Sequence, residues 1–100
     1  MDKRSATGRR FRDLVESYAA DLGGLPNLGA ADQALVKEIA AKTIQSEQLA
    51  AALARGESVD TEQSVRIANV LNRLLGRLER RAKALAPMGP SLAQVLGRPA

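Results

Sequence analysis

Apolar residues recur at helical spacing in separate blocks along this chain, and glycine or proline interrupts the pattern between them. From Ala30 to Leu85 the pattern predicts two long helices, roughly 30–55 and 61–85, joined by the turn Gly56-Glu57-Ser58-Val59-Asp60. At about 1.5 Å of rise per residue each would be about 40 Å long. A connection this short makes neighbouring helices pack antiparallel. Gly56 suits the residue just past a helix C-terminus. Asp60 with Gln63 three residues on approximates a capping box for the next helix.

The later helix carries the strongest pattern. Ile67, Val70, Leu71, Leu74, Leu75, Leu78, Ala82 and Leu85 form one apolar face, about 140° wide on a 100° wheel. One packing partner needs a face nearer about 100°. The extra width is expected to be covered either by another helix of the chain or by a second copy, and the oligomer is the favoured reading. In the earlier helix Leu35, Ile39, Ser46, Leu49, Ala50 and Leu53 share a face that Lys42 and Thr43 border or interrupt. Ile44 lies well off that stripe, beside Ala40 and Ala51, which points to a second contact surface. Ile44, Ala51, Ile67, Val70, Leu74 and Leu78 are therefore the expected oligomer-interface residues.

Ahead of this hairpin, Phe11, Leu14, Val15, Tyr18 and Leu22 fall on one face of a shorter helix running from about Arg9 to Leu22. Gly23 and Gly24 end it, and Leu25-Pro26-Asn27-Leu28-Gly29 makes a turn that the two leucines pin down. This amphipathic helix is expected to cover one end of the hairpin, with Tyr18 a packing residue whose hydroxyl stays wet. The predicted organisation is all-α. It comprises a basic disordered tail at 1–7, an N-terminal helix and turn at 8–29, a coiled-coil-like antiparallel hairpin forming the oligomerisation core at 30–85, and a linker with a short C-terminal helical segment at 86–100.

Composition removes several chemistries. The 100 residues contain no cysteine and no histidine, so disulfides, thiolate metal sites and the commonest general base are absent. No paired-carboxylate, phosphate-loop or dinucleotide motif occurs, and the serines have no evident base partner. A non-enzyme with no metal and no cofactor is expected. No apolar run approaches the roughly 20 residues of a membrane span, and the N-terminus lacks a signal-like apolar region. A cytoplasmic protein without membrane contact is the expectation.

Charge changes the picture more than its total of +4 implies. Residues 1–12 carry Lys3, Arg4, Arg9, Arg10 and Arg12 against Asp2, a net of +4. Residues 73–83 carry Arg73, Arg77, Arg80, Arg81 and Lys83 against Glu79, again +4, whereas 13–72 hold nine acids and four bases, a net of −5. Arg66, Arg73, Arg77 and Arg80 lie within about 60° of one another on the wheel, opposite the leucine face. A planar guanidinium fork suits phosphate. This row, with Arg9, Arg10 and Arg12, is the candidate nucleic-acid-binding set; a solvated row with local pairs to Glu62 and Glu79 remains the alternative. No aromatic residue is interleaved with the row, so base stacking is not indicated. After the breakers Pro87-Met88-Gly89-Pro90, the segment Ser91-Leu92-Ala93-Gln94-Val95-Leu96 places Leu92, Val95 and Leu96 on one side. It reads either as a docking peptide of the helix-in-groove kind or as a tail folded back on the hairpin.

The order of these features resembles small proteins of phages and of alphaproteobacterial gene transfer agents that are related to, or act as, terminase small subunits. The residues carrying the resemblance are Arg10-Phe11-Arg12-Asp13-Leu14-Val15, Asp21-Leu22-Gly23-Gly24, Ser46-Glu47-Gln48-Leu49, the turn Arg55 to Asp60, and Pro90-Ser91-Leu92-Ala93-Gln94-Val95-Leu96. The resemblance spans most of residues 8–97. It implies a ring-forming accessory protein of a bacterial host cell that brings double-stranded DNA to a packaging motor. It implies no nuclease or ATPase activity, and engagement of the large terminase subunit by residues 91–96. Many such proteins add an N-terminal helix-turn-helix; here about 29 residues precede the hairpin, with one credible helix. DNA contact is therefore expected to be weak and phosphate-directed. A protein-binding scaffold without DNA binding and a small basic dimeric regulator stay open beside it.

Overall fold

A computed structural model describes residues 5–85. Among them are α1 (Ala6–Ala20), a short 3-10 turn (Leu25–Asn27), α2 (Ala30–Ala54) and α3 (Thr61–Leu85), with no strand. The protein is all-α, a long helical hairpin preceded by a shorter helix.

The helix ends follow from local chemistry. α1 starts at Ala6, inside the stretch expected to be tail, because Ser5 caps it: its Oγ accepts from the Gly8 N–H at 2.9 Å. Its end is closed by Gly24 N–H to Ala19 O (2.9 Å) and Gly23 N–H to Ala20 O (3.2 Å), the Schellman pair of bonds. The α2–α3 turn has the glycine end and the Asp60 cap that its residues predict but, among the described residues, not the return bond from the Gln63 side chain that would complete a capping box. The N–H of Glu57 reaches Ala52 O (3.0 Å) and that of Gly56 reaches Leu53 O (2.9 Å), with Gly56 at φ +81°. Asp60 Oδ1 then accepts from the N–H groups of Glu62 (3.0 Å) and Gln63 (3.3 Å), satisfying donors that α3 would otherwise leave open.

Three helices share one core. Leu14, Val15 and Ala19 of α1, with Leu22 just beyond it, meet Val36, Ile39, Ala40 and Ile44 of α2 and Leu74 and Leu78 of α3; Leu28 closes the base. Val36 and Ile39 are the largest fully buried side chains. Burying residues of this size stabilises by about 1.5–3 kcal/mol each before entropy is counted. Val36 belongs to none of the stripes read from the sequence. Within the expected α2 stripe only Ile39 is buried, Ala50 is exposed and Leu53 is 59 % exposed.

The reason is where α1 sits. It does not cap one end of the hairpin but lies along α2, so α2 is flanked by a helix on each of two sides. Arg10 reaches Glu47, and Ala6 and Thr7 line a depression with Ile44, Gln48 and Ala51. Since α1 approaches Ala51 and ends near Gly29, the chain runs back antiparallel along α2. The second surface of α2 signalled by Ile44 is therefore covered within the chain at Ala40 and Ile44, while Ala51 stays exposed. At the far end Leu53 and Val65 (54 % exposed) stand beyond the core, so the hairpin tip protrudes from it.

Tyr18 is half-buried, and its Oη lies 3.3 Å from Thr43 Oγ1. Thr43 spends its own proton on the Ile39 carbonyl at 2.8 Å, so Tyr18 donates to Thr43. Beyond the packing role expected of Tyr18, its hydroxyl thus makes an α1–α2 contact.

Candidate functional site

The side chains that carry charge are sorted by the helix packing. Arg66, Arg73, Arg77 and Arg80 are all exposed along α3. Among the described residues none of Arg73, Arg77 and Arg80 pairs with a carboxylate, while Arg66 Nη2 is 3.9 Å from Glu62 Oε1. The row does not oppose the apolar face. Arg77 follows Val70 by seven residues, which leaves the two only about 20° apart on the helix. Arg73 and Arg77 accordingly form one wall of a surface trough of about 440 Å³ with Val70 and Leu74 at its floor. The other wall is Ala31, Ala34, Leu35 and Glu38 of α2. Gly76 gives Arg80 room: a Cβ there would stand 3.3 Å from Arg80 Nη1.

Arg9, Arg10 and Arg12 are brought to a different side. All three are exposed on α1, but Arg10 is engaged. Its Nη2 and Nε donate to Glu47 Oε2 (2.6 Å) and Oε1 (3.3 Å). Those hydrogen bonds raise the Arg10 pKa and lower that of the Glu47 carboxyl. Glu47, on the α1 side of α2, is nine residues from Glu38 in the trough, so the two point about 180° apart. Arg10 and the α3 row thus lie on opposite sides of α2.

Of the residues expected at an oligomer interface, Ile44, Leu74 and Leu78 are buried in the chain's own core, and Ile67 is buried near the hairpin tip. Ile44, Leu74 and Leu78 are covered because α1 completes a core that the hairpin alone would leave open, whereas Ile67 is covered between α2 and α3 outside that core. Leu71 and Leu75, which gave the α3 face its width, pack against this core and are half-buried. Val70 is half-buried in the trough, and Ala51 is exposed beside the start of α1. Leu92, Val95 and Leu96 lie outside the described residues.

Sequence reasoning passed over Arg81, whose guanidinium grips Asp32 of α2 with Nε–Oδ1 at 3.1 Å and Nη2–Oδ2 at 3.2 Å. The pairing raises the Arg81 pKa through the hydrogen bonds first and Coulomb attraction second. A signal existed: on the wheel Arg81 falls between Val70 and Leu74, and a cation inside an apolar face needs an acid across it. Lys42 was also missed. Ala31, Leu35, Glu38 and Lys42 are spaced i, i+4, i+7 and i+11, which puts Lys42 on the trough side of α2.

Among the described residues no group of three or more His, Cys, Asp or Glu side chains could hold a metal ion, and no helix is long and apolar enough to cross a membrane. What the arrangement offers chemically is a row of guanidinium donors held on a helix and edged by a shallow apolar floor. Compared with protein-family models, with curated proteins and with solved structures, the chain finds no match.

Proposed function

We propose that this chain is a non-catalytic DNA-packaging accessory protein of the terminase small-subunit kind, working in the cytoplasm of a bacterial host cell. In this reading it oligomerises, as a ring, holds double-stranded DNA weakly through phosphates, and recruits the large terminase subunit through residues 91–96. The observation that carries it is the exposed arginine row on α3, three of whose members have no carboxylate partner among the described residues. Arginine forks unspent on local acids are the chemistry that phosphates select. The ordered resemblance from Arg10 to Leu96 supplies the packaging context. Light scattering tests the assembly: a mass well above a dimer's supports the ring, and a stable monomer overturns it.

A protein-binding adaptor without DNA contact is the second reading. It is favoured by Leu53 and Val65, both more than half exposed at the hairpin tip. A duplex titration in dilute salt separates the two, since the adaptor leaves DNA unbound.

A further inference from the structure

The trough walled by Arg73 and Arg77 reaches Glu38 on α2. Farther along the hairpin a second depression is lined by Gln45, Gln48 and Leu49 of α2 and by Gln63 and Ile67 of α3. On the α2 wheel Gln45 and Leu49 repeat the positions of Glu38 and Lys42, so both depressions open on the same side of the hairpin. From Ala31 to Gln48 this side runs about 25 Å.

We infer that this one side of the α2–α3 hairpin is the chain's nucleic-acid surface: it seats the sugar-phosphate backbone of a duplex, with Lys42 part of the site, Glu38 opposing it, and the α1 arginines taking no part. The inference rests on the DNA-binding reading above and sharpens it. Charge complementarity is the first argument. Arg73 and Arg77 line the trough against Glu38, and helix spacing puts Lys42 on the same side of α2 and Arg66 and Arg80, with Glu62, along the same row of α3, a cationic excess on a chain whose central segment is acidic. Donor chemistry is the second. Gln45, Gln48 and Gln63 add amide N–H groups, which contact phosphate oxygens as readily as they contact bases.

The choice of duplex over single strand follows from the aromatic residues. Phe11 and Tyr18 are the chain's aromatic side chains, and both pack on the core from α1. Nothing along the trough stacks on an unpaired base, and single-strand binders draw much of their affinity from stacking. Exclusion of α1 follows from its position. It covers the Ala40–Ile44–Glu47 side of α2, and Arg10 is tied there to Glu47. Glu38 stands across the trough from Arg73 and Arg77, where its carboxylate repels a phosphate and holds affinity down.

The test is anisotropy of a short labelled duplex of mixed sequence, titrated with the full chain across a salt series. The wild type is expected to show a log–log salt slope of about −4.5 if Lys42 and the four arginines each meet a phosphate, about 0.9 per contact. R73E/R77E/R80E should weaken binding on the order of a hundredfold. K42Q should weaken it and flatten the slope by up to about 0.9. E38Q should tighten it about threefold, as removal of one nearby like charge does. R9Q/R12Q should leave affinity and slope unchanged. Melting curves of every variant, followed by circular dichroism, establish that the helices persist. If the α3 variant binds like the wild type while R9Q/R12Q does not, the assignment to this side is overturned and the DNA-binding reading stands. Tighter binding of a single-stranded oligonucleotide overturns the duplex assignment. If the wild type binds no duplex even in very dilute salt, the DNA-binding reading itself fails.

Discussion

Arg10 of α1 grips Glu47 of α2 across 37 positions of sequence, with Nη2–Oε2 at 2.6 Å and Nε–Oε1 at 3.3 Å. A fork that delivers both bonds fixes direction as well as distance. It therefore sets the register of α1 along α2, while Arg81 and Asp32 do the same for α3 at the other end of the hairpin. The pair also has a pH signature. The Glu47 pKa is lowered, chiefly by the hydrogen bond from Arg10, with burial opposing it. A carboxyl whose pKa is lower folded than unfolded stabilises the fold above the unfolded value. That contribution fades as pH falls through the folded value. Thermal midpoints should be flat above about pH 5 and drop below about pH 4.5. Glu47→Gln should start with a lower midpoint and drop less over the acid range. Parallel acid losses in the two proteins would show that the pair contributes nothing.

Burial along α2 predicts a sharp contrast between two apolar residues. Ile39 is fully buried where all three helices meet, whereas Leu53 is 59 % exposed at the tip. Ile39→Ala should cost about 2–5 kcal/mol, by lost transfer energy and the cavity left behind. Leu53→Ala should change stability by no more than about 0.5 kcal/mol. Urea denaturation measures both. Equal losses would mean that the tip is covered in solution.

The turn between α2 and α3 predicts a backbone effect rather than a packing one. Gly56 sits at φ +81° with open space around the position a Cβ would take. Gly56→Ala should therefore cost about 1–2 kcal/mol through the left-handed conformation alone. Asp60→Ala should cost about 1 kcal/mol by stripping the cap from the Glu62 and Gln63 N–H groups, and Asp60→Asn should recover most of it. A Gly56→Ala protein as stable as the wild type would mean that the turn adopts another geometry.

These cases show what the sequence could and could not convey. Gly56 and Asp60 act through bonds within a few residues, so their roles were readable, as were the bounds of α2 and α3. Ser5 is equally local, but a serine ahead of a glycine in a short charged stretch without apolar periodicity carries no mark that separates a cap from a tail residue. Val36 and Ile44 depended on which helix covers which side of α2. A wheel gives the angle of a residue and not the identity of its neighbour. The arginine row illustrates the same limit. Its spacing was plain, yet its relation to the trough appeared only once α3 was placed against α2. The engagement of Arg10 by Glu47 likewise joins residues that no local pattern links.

Ile44 gives the clearest way to separate a role inside the chain from a role between copies. Its position off the main α2 stripe made it a candidate interface residue, but it is 9 % exposed and belongs to the core that α1 completes. If that burial is its whole role, Ile44→Ala should destabilise by about 2–5 kcal/mol in urea. The mass measured by light scattering, under conditions where the variant is still folded, should not change. Val70→Asp offers the complementary case, because Val70 is half-buried at the floor of the trough and open to a neighbour. With a duplex seated there, the aspartate should weaken duplex binding and leave the mass unchanged while the helices persist by circular dichroism; a lower mass would put a contact between copies in the trough and overturn its assignment to DNA. A lower mass for Ile44→Ala with unchanged stability would instead put a subunit contact where α1 lies. In that case α1 would exchange its place on α2 with the α1 of another copy.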